Sequence, residues 1–462
     1  MNTSEKGSDK EKRRKVDGKK IAEQKRQKFL LKQQKKMEQQ QSKTEDDEWF
    51  KRYGTCITRI DVMDAKNFKK FSARKNGMRS RASTTCTCID SRKRPRTAEA
   101  GLSSGHDDDT TMDLELEMDP NLLSKLEYIQ PYMDLKDANE TSSVLTNSEE
   151  IHASNGTRYF IAEGTETVRM LLEQSAVDTN DADTSSSERD GDNSNRKRIK
   201  IHSILTKPSP FLEEPVNLRK TLCESYQSVF DKRGDSNNSD ASSTLPFQVI
   251  VGSEKAMTEI VGFPVARGAM ACGIVPHYDE QWLMNHLRTK QKQQLHVDSD
   301  SSIRILALEN ICDTANLGSL IRTSAAFGIN VVILSDDSCD AWYRRCVRVS
   351  MGHVLTVPSV RVANLSFTLN AMRREFNIKS YAAVINHDAD TVLEQTEKGG
   401  ISMNWCCVLG NEGNGLTEQM ARSCDHTIRI QMDGIIDSLS VGVAGGILLH
   451  GMKEREAKSI SH

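Results

Sequence analysis

Four residues in the last third of the chain have the types and spacing that chemistry on a polar, anionic substrate needs. Asn316 and Arg322 lie six residues apart in NLGSLIRTSAAFG, where Leu317, Leu320, Ile321 and Phe327 recur at helical spacing and Gly328 supplies a left-handed end. Arg322 is the one charge on that helix. It either points to solvent or joins the first turn, with its backbone N–H groups and Asn316, in presenting donors to an anion; taken alone, the two readings are even. Glu412 is embedded in a Gly-rich turn, GNEGNG, and Ser440 sits where a loop runs into a helix of small residues, VGVAGGILLHGM. Such turns hold ligands through main-chain groups, although these glycines are in the wrong order for a dinucleotide fingerprint.

The elements that position these residues are short apolar runs. IRILAL precedes Asn316 and INVVIL follows Gly328; KSYAAVI, WCCVLG and HTIRI come later, with helical segments between them. Alternation of strand and helix predicts an α/β fold with a mostly parallel sheet covered on both faces.

Taken in order, NLGSLIRTSAAFG, YRRCVRVSMGHVLTVP (Tyr343 to Pro358), WCCVLGNEGNGLTEQM (Trp405 to Met420) and IRIQMDGIIDSLSVGVAGGILLHGM (Ile428 to Met452) resemble the SpoU-type (TrmH-like) RNA ribose 2′-O-methyltransferases of the SPOUT superfamily. The resemblance covers roughly residues 303–452, about a third of the chain. It implies a trefoil knot, a rare exception to unknotted connections. It also implies S-adenosylmethionine as cofactor, RNA (tRNA or rRNA) as substrate, and a homodimer through the knotted domain.

By the same resemblance Arg322 matches the catalytic Arg, Asn316 the loop-shaping Asn and Glu412 the acid that anchors Asn316 or Arg322. Gly410, Ile430 and Leu439 match positions that hold the cofactor through the main chain, and Arg344, Arg345 and Arg348 are read as a phosphate track. A guanidinium resists deprotonation, so Arg322 is expected to bind the adjacent phosphate and orient the hydroxyl, the proton leaving to phosphate or water. One position departs from the family: Ser438-Leu439-Ser440 stands where Ser-Leu-Asn is usual. Serine has one hydroxyl in place of an amide's donors and acceptor, which leaves a catalytically inactive RNA-binding protein as the alternative.

Composition bounds the rest. The chain has 462 residues, 63 basic and 65 acidic, so its net charge of -2 predicts no overall pull on nucleic acid. Basic residues are concentrated in residues 1–45 and in SRKRPR and NRKRIK, clusters read by nuclear import factors or attracted to phosphates. Residues 1–119 are expected to be mostly disordered, a basic arm and linker. A small α/β RNA substrate-binding domain is expected over 120–290, with disordered insertions at about 176–196 and 232–244, and the methyltransferase domain over 298–456. Its pieces, among them FIAEG and the GFPVARG turn, resemble the substrate domain that precedes the catalytic one in many SpoU-type enzymes. The eleven cysteines include no Cys-x-x-Cys pair, so no metal site is expected. No apolar run is long enough to span a bilayer, and the start carries no secretory or transit signal, which predicts a soluble intracellular protein, nuclear or cytoplasmic.

Overall fold

The computed structural model describes residues 157–175, 198–212, 217–227, 245–265, 268–294, 302–385, 389–391, 401–433 and 439–459, with short pieces at 57–60, 66, 126–133, 135 and 394. The chain divides into two units, Met1–Thr58 and Arg59–His462. The basic arm, the cluster SRKRPR, the first three residues of NRKRIK (Asn195, Arg196 and Lys197) and both expected insertions lie outside the described residues. A strand, β1 (Ile57–Ile60), lies in a stretch read from sequence as linker. Ile57 and Ile60 are two apolar residues around a polar pair, too short a run to register as periodicity.

Within the second unit the earlier sheet is mixed. β2 (Tyr159–Glu163), β3 (Ile201–Thr206), β4 (Gln248–Gly252) and β5 (Ala269–Ile274) are ordered β4-β3-β5-β2. β3 runs parallel to β4 and antiparallel to β5, which is also antiparallel to β2. Helices α1 (Thr165–Ser175) and α2 (Glu254–Val261) bury their apolar residues beside it. Ser253 caps α2 through Ala256 N–H, and Gly262, at φ 85°, ends it.

The later sheet has seven strands. They are β6 (Arg304–Leu308), β7 (Val331–Ser335), β8 (Ser359–Val362), β9 (Lys379–Ala383), β10 (Asp390–Thr391), β11 (Trp405–Leu409) and β12 (His426–Arg429), in the order β10-β12-β9-β11-β6-β7-β8. Every neighbouring pair is parallel, so all carboxyl ends meet at one edge. β6, β7 and β11 are buried along their whole length, because helices cover both faces. Ile305, Ala307, Cys406 and Val408 pack with α3 (Glu280–Gln294) and with Leu365, Leu369, Met372 and Phe376 of α6 (Leu365–Phe376).

The other face carries α4 (Thr314–Phe327), α5 (Arg344–Val349) and the last helix, α8 (Val441–Ser459); a short α7 (Glu418–Ser423) follows β11. One buried ion pair fastens α8 to this face. Glu456, 1% exposed, accepts two bonds from Arg304, at 2.9 and 3.0 Å, and one from Trp405 Nε1 at 2.8 Å. Arg304 opens β6 and Trp405 opens β11, so a single carboxylate ties the C-terminal helix to the amino ends of the two central strands. No helix of the described residues is long and apolar enough to cross a membrane.

Candidate active site

The strand order reverses at β6, since β7 and β8 extend to one side and β11 and β9 to the other. Crevices outside the carboxyl ends at such a reversal are where open α/β sheets bind ligands. Two loops emerge there side by side, one from β6 and one from β11, and two carboxylates staple them together.

Glu309 follows β6 and reaches the second loop, accepting from Thr417 N–H and Thr417 Oγ1, both at 2.8 Å. Glu412 reaches back. Its Oε1 accepts from the Asn316 side-chain amide and from Asp313 N–H, each at 3.1 Å, and its Oε2 accepts from Cys312 N–H at 3.3 Å. Asn411 adds a 2.7 Å bond from Nδ2 to the carbonyl of Asn310, which holds a left-handed backbone at φ 53°. Gly410 has no room for a side chain, as a Cβ there would lie 2.2 Å from the backbone of Gly415 and Leu416. Its glycine therefore serves the closure of its own loop, and any ligand meets it through the main chain.

The start of α4 weighs against the second of the two readings of its first turn, that of open anion-binding donors. Asp313 is the N-cap; its Oδ1 accepts from Ala315 N–H and, at 3.1 Å, from Asn316 N–H, and its carbonyl takes Leu317 N–H at 3.0 Å. These donors are already satisfied, and the cap adds a negative charge where an anion was expected. The signal was present, because an Asp just before an apolar-periodic run is a cap signature. Arg322 lies six residues past Asn316, about 9 Å along the axis, and is exposed. His353, in the 3-10 turn His353–Leu355 that packs on α4, feels it: burial first and then the Arg322 charge push the imidazole below its ordinary value. Beneath the β6 loop, burial first and the Glu412 charge second push the Cys339 thiol up to about 12.

Gly410 and Ile430 directly follow β11 and β12, which flank β9. Ser440 and Leu439 are exposed just ahead of α8, and the Ser440 carbonyl accepts from Ala444 N–H at 2.9 Å to open that helix. Ser438 lies outside the described residues. The edge fits a nucleoside-bearing cofactor in one respect. Ile385, just beyond β9, and Leu439, just ahead of α8, are apolar yet 58% and 38% exposed, the kind of side chain an adenine ring lies against where strand-end backbone supplies the polar contacts. Among the described residues no group of three or more His, Cys, Asp or Glu is placed to hold a metal.

The three arginines of α5 do not act alike. Arg345 and Arg348 are exposed, whereas Arg344 turns inward with a side chain 15% exposed and donates to Glu163 at 2.9 and 3.1 Å. A phosphate track through all three is therefore not what the fold builds. Sequence alone offered no cue, because Glu163 lies 181 residues away.

Residues 304–450 match the model described as the SpoU rRNA Methylase family. The 23S rRNA (guanosine-2'-O-)-methyltransferase RlmB of Acinetobacter baylyi is 31% identical over 207 residues, which span 44% of this chain and 78% of that protein. An uncharacterized tRNA/rRNA methyltransferase of Mycobacterium tuberculosis, Rv0881, is 30% identical over 43% of this chain and 63% of its own length. Among solved structures, the SpoU methyltransferase AviRb from Streptomyces viridochromogenes in complex with AdoMet superposes with a TM-score of 0.46 at 15% identity, covering 72% of this chain and 99% of that one.

Proposed function

The chain belongs to the SpoU rRNA Methylase family, and from that premise we propose that it is an S-adenosylmethionine-dependent RNA methyltransferase acting on a ribose 2′-hydroxyl. The observation that carries the reading is the 3.1 Å bond between Glu412 and Asn316, which brings two loops distant in sequence into one site at the reversal of the sheet. The cofactor, when bound, supplies a methyl group activated by a positive sulfonium. Gly410, Ile430 and Leu439 would hold it through their backbone groups.

The protein's own residues do the rest. Glu412 fixes Asn316 and with it the loop that borders the ribose. Arg322, always charged, binds the phosphate next to the reacting nucleotide and orients its hydroxyl, whose proton leaves to phosphate or water. Arg345 and Arg348 are free to meet further phosphates, Arg348 in part, since it also lies 3.6 Å from Glu163. The earlier sheet is the substrate-binding domain, a role suggested by the resemblance of its pieces. The trefoil knot of the later domain is inferred from the resemblance of its motifs to the family. A homodimer is supported by the exposed apolar pair Val443 and Ile447, four residues apart on one face of α8. RNA is the substrate class, and the names of the relatives make 23S rRNA the first to test.

The test is to incubate the full chain with methyl-labelled cofactor and RNA, digest to nucleosides and identify the product. A 2′-O-methylnucleoside is expected; methyl groups on bases alone would overturn the reading. Ser440 favours a second one, an RNA-binding protein without activity, since a hydroxyl stands where the family has an amide. Calorimetric titration separates the two, because that protein should bind no cofactor.

A further inference from the structure

Arg344 plugs into a socket built by three separate segments of the earlier sheet's surroundings. Its Nε and Nη2 donate to Glu163 Oε2, at 3.1 and 2.9 Å, at the carboxyl end of β2. Its Nη1 donates to the carbonyl of Leu135 at 3.3 Å, and the guanidinium lies 4.4 Å from the ring centroid of Phe263, just past α2. Glu163 has a side chain only 5% exposed, and its second oxygen lies 3.6 Å from Arg348 Nη1. A buried carboxylate survives only with partners this close, and losing one leaves the other charge stranded. α5, which carries both arginines, is therefore fixed to the earlier sheet.

The other side of α5 presses on the helix of the candidate active site. A Cβ on Gly318 of α4 would lie 2.8 Å from the Cys346 carbonyl and 2.9 Å from Val349 Cβ, so the two helices meet backbone to backbone. Gly318 and Arg322 are four residues apart and share a helix face. The segment after α5 continues along that face, where the charge of Arg322 reaches His353. A shift of Arg344 in its socket moves α5, and α5 has no slack against α4.

We propose that Glu163 and Arg344 form a joint that sets the position of Arg322, making both positioning residues for methyl transfer and coupling RNA held by the earlier sheet to the reacting ribose. This rests on the reading of Arg322 given above.

The experiment compares full-length wild type, Glu163→Gln, Arg344→Lys and the double variant. It measures cofactor affinity, the single-turnover rate per cofactor-competent site, and hydrogen exchange in α4, α5 and α6. Glu163→Gln removes the charge at constant shape, and Arg344→Lys keeps the charge but loses the fork that grips one oxygen twice. The expected result is cofactor affinity within about twofold of wild type, a rate per competent site lowered roughly tenfold in Glu163→Gln and less in Arg344→Lys, and a double variant no slower than the worse single one. Exchange should rise in α5 and α4 and stay unchanged in α6. A strut with no part in positioning would reduce the competent fraction and the melting temperature but leave the rate per site and α4 exchange unaltered, which would overturn the proposal. If Glu163→Gln does not fold, Arg344→Lys carries the same readouts. If wild type itself transfers no methyl group to RNA, the functional reading fails, and the exchange comparison decides the joint by itself.

Discussion

Glu412 holds Asn316 across 96 residues of sequence, and the same oxygen that takes the Asn316 amide also takes the backbone N–H of Asp313 at the cap of α4. One carboxylate thus fixes a side chain and the helix start that carries it. Glu412→Ala should lower methyl transfer by about 10- to 100-fold, the scale of losing one or two hydrogen bonds to a charged group. Melting temperature should fall little, because Glu412 is exposed. Steady-state kinetics beside thermal denaturation check this, and a parallel loss of fold and rate would contradict it.

Arg322→Ala should leave cofactor affinity nearly intact and slow methyl transfer by roughly 10²-fold or more, the range for one preorganised charged group at a reacting centre. A loss below about threefold in single-turnover assays would move the role to another residue.

His353 gives a pH signature. Its folded-state pKa is depressed, by burial first and then by Arg322, so the folded protein binds fewer protons than the unfolded chain between the lowered value and about 6.5. Its contribution to stability is therefore present above about pH 6.5 and is lost as pH falls through the lowered folded value. His353→Gln should flatten the acid side of the stability curve in urea titrations. Arg322→Ala should raise the His353 pKa, read from its imidazole resonances by NMR, because one of the two depressing causes is gone.

The pair between Glu456 and Arg304 is buried on both sides, at 1% and 10% side-chain exposure. Glu456→Ala removes the carboxylate that the guanidinium and the Trp405 N–H share, and should cost about 3–5 kcal/mol in chemical denaturation. Glu456→Leu combined with Arg304→Met removes both charges and should cost less than the single change.

The exposed pair Val443 and Ile447 on α8 predicts that residues 298–462 run as a dimer in light scattering. Val443→Asp with Ile447→Asp should produce monomers without unfolding, because both positions are exposed in the chain by itself.

Sequence periodicity made most strands and helices of the later sheet legible, since WCCVLG is buried on both faces with no polar interruption and IRILAL is interrupted only by Arg304. The Asn316 and Glu412 loops were readable because glycine and polar residues punctuate those runs. What stayed hidden is non-local. The place of β11 between β6 and β9 is set by strands made long before it. The turn of Arg344 toward Glu163 and the burial of Glu456 against Arg304 depend on partners 181 and 152 residues away, and no local pattern encodes such a partner. Asp313 is different: its cap is local, an Asp set directly ahead of an apolar-periodic run.

The late arrival of β11 has a consequence during synthesis. β6 ends at Leu308, β9 at Ala383 and β11 at Leu409, so a ribosome adding about 5–20 residues per second leaves the inner edge of β6 open for roughly 5–20 seconds and the slot between β6 and β9 for roughly 1–5 seconds. First one and then two inner strand edges have no partner, and such edges are templates for pairing with other chains. A message truncated before Trp405 would make this interval permanent. The stump would keep the earlier sheet and β6, β7, β8 and β9, yet be a substrate for chaperones and proteases rather than a smaller working protein.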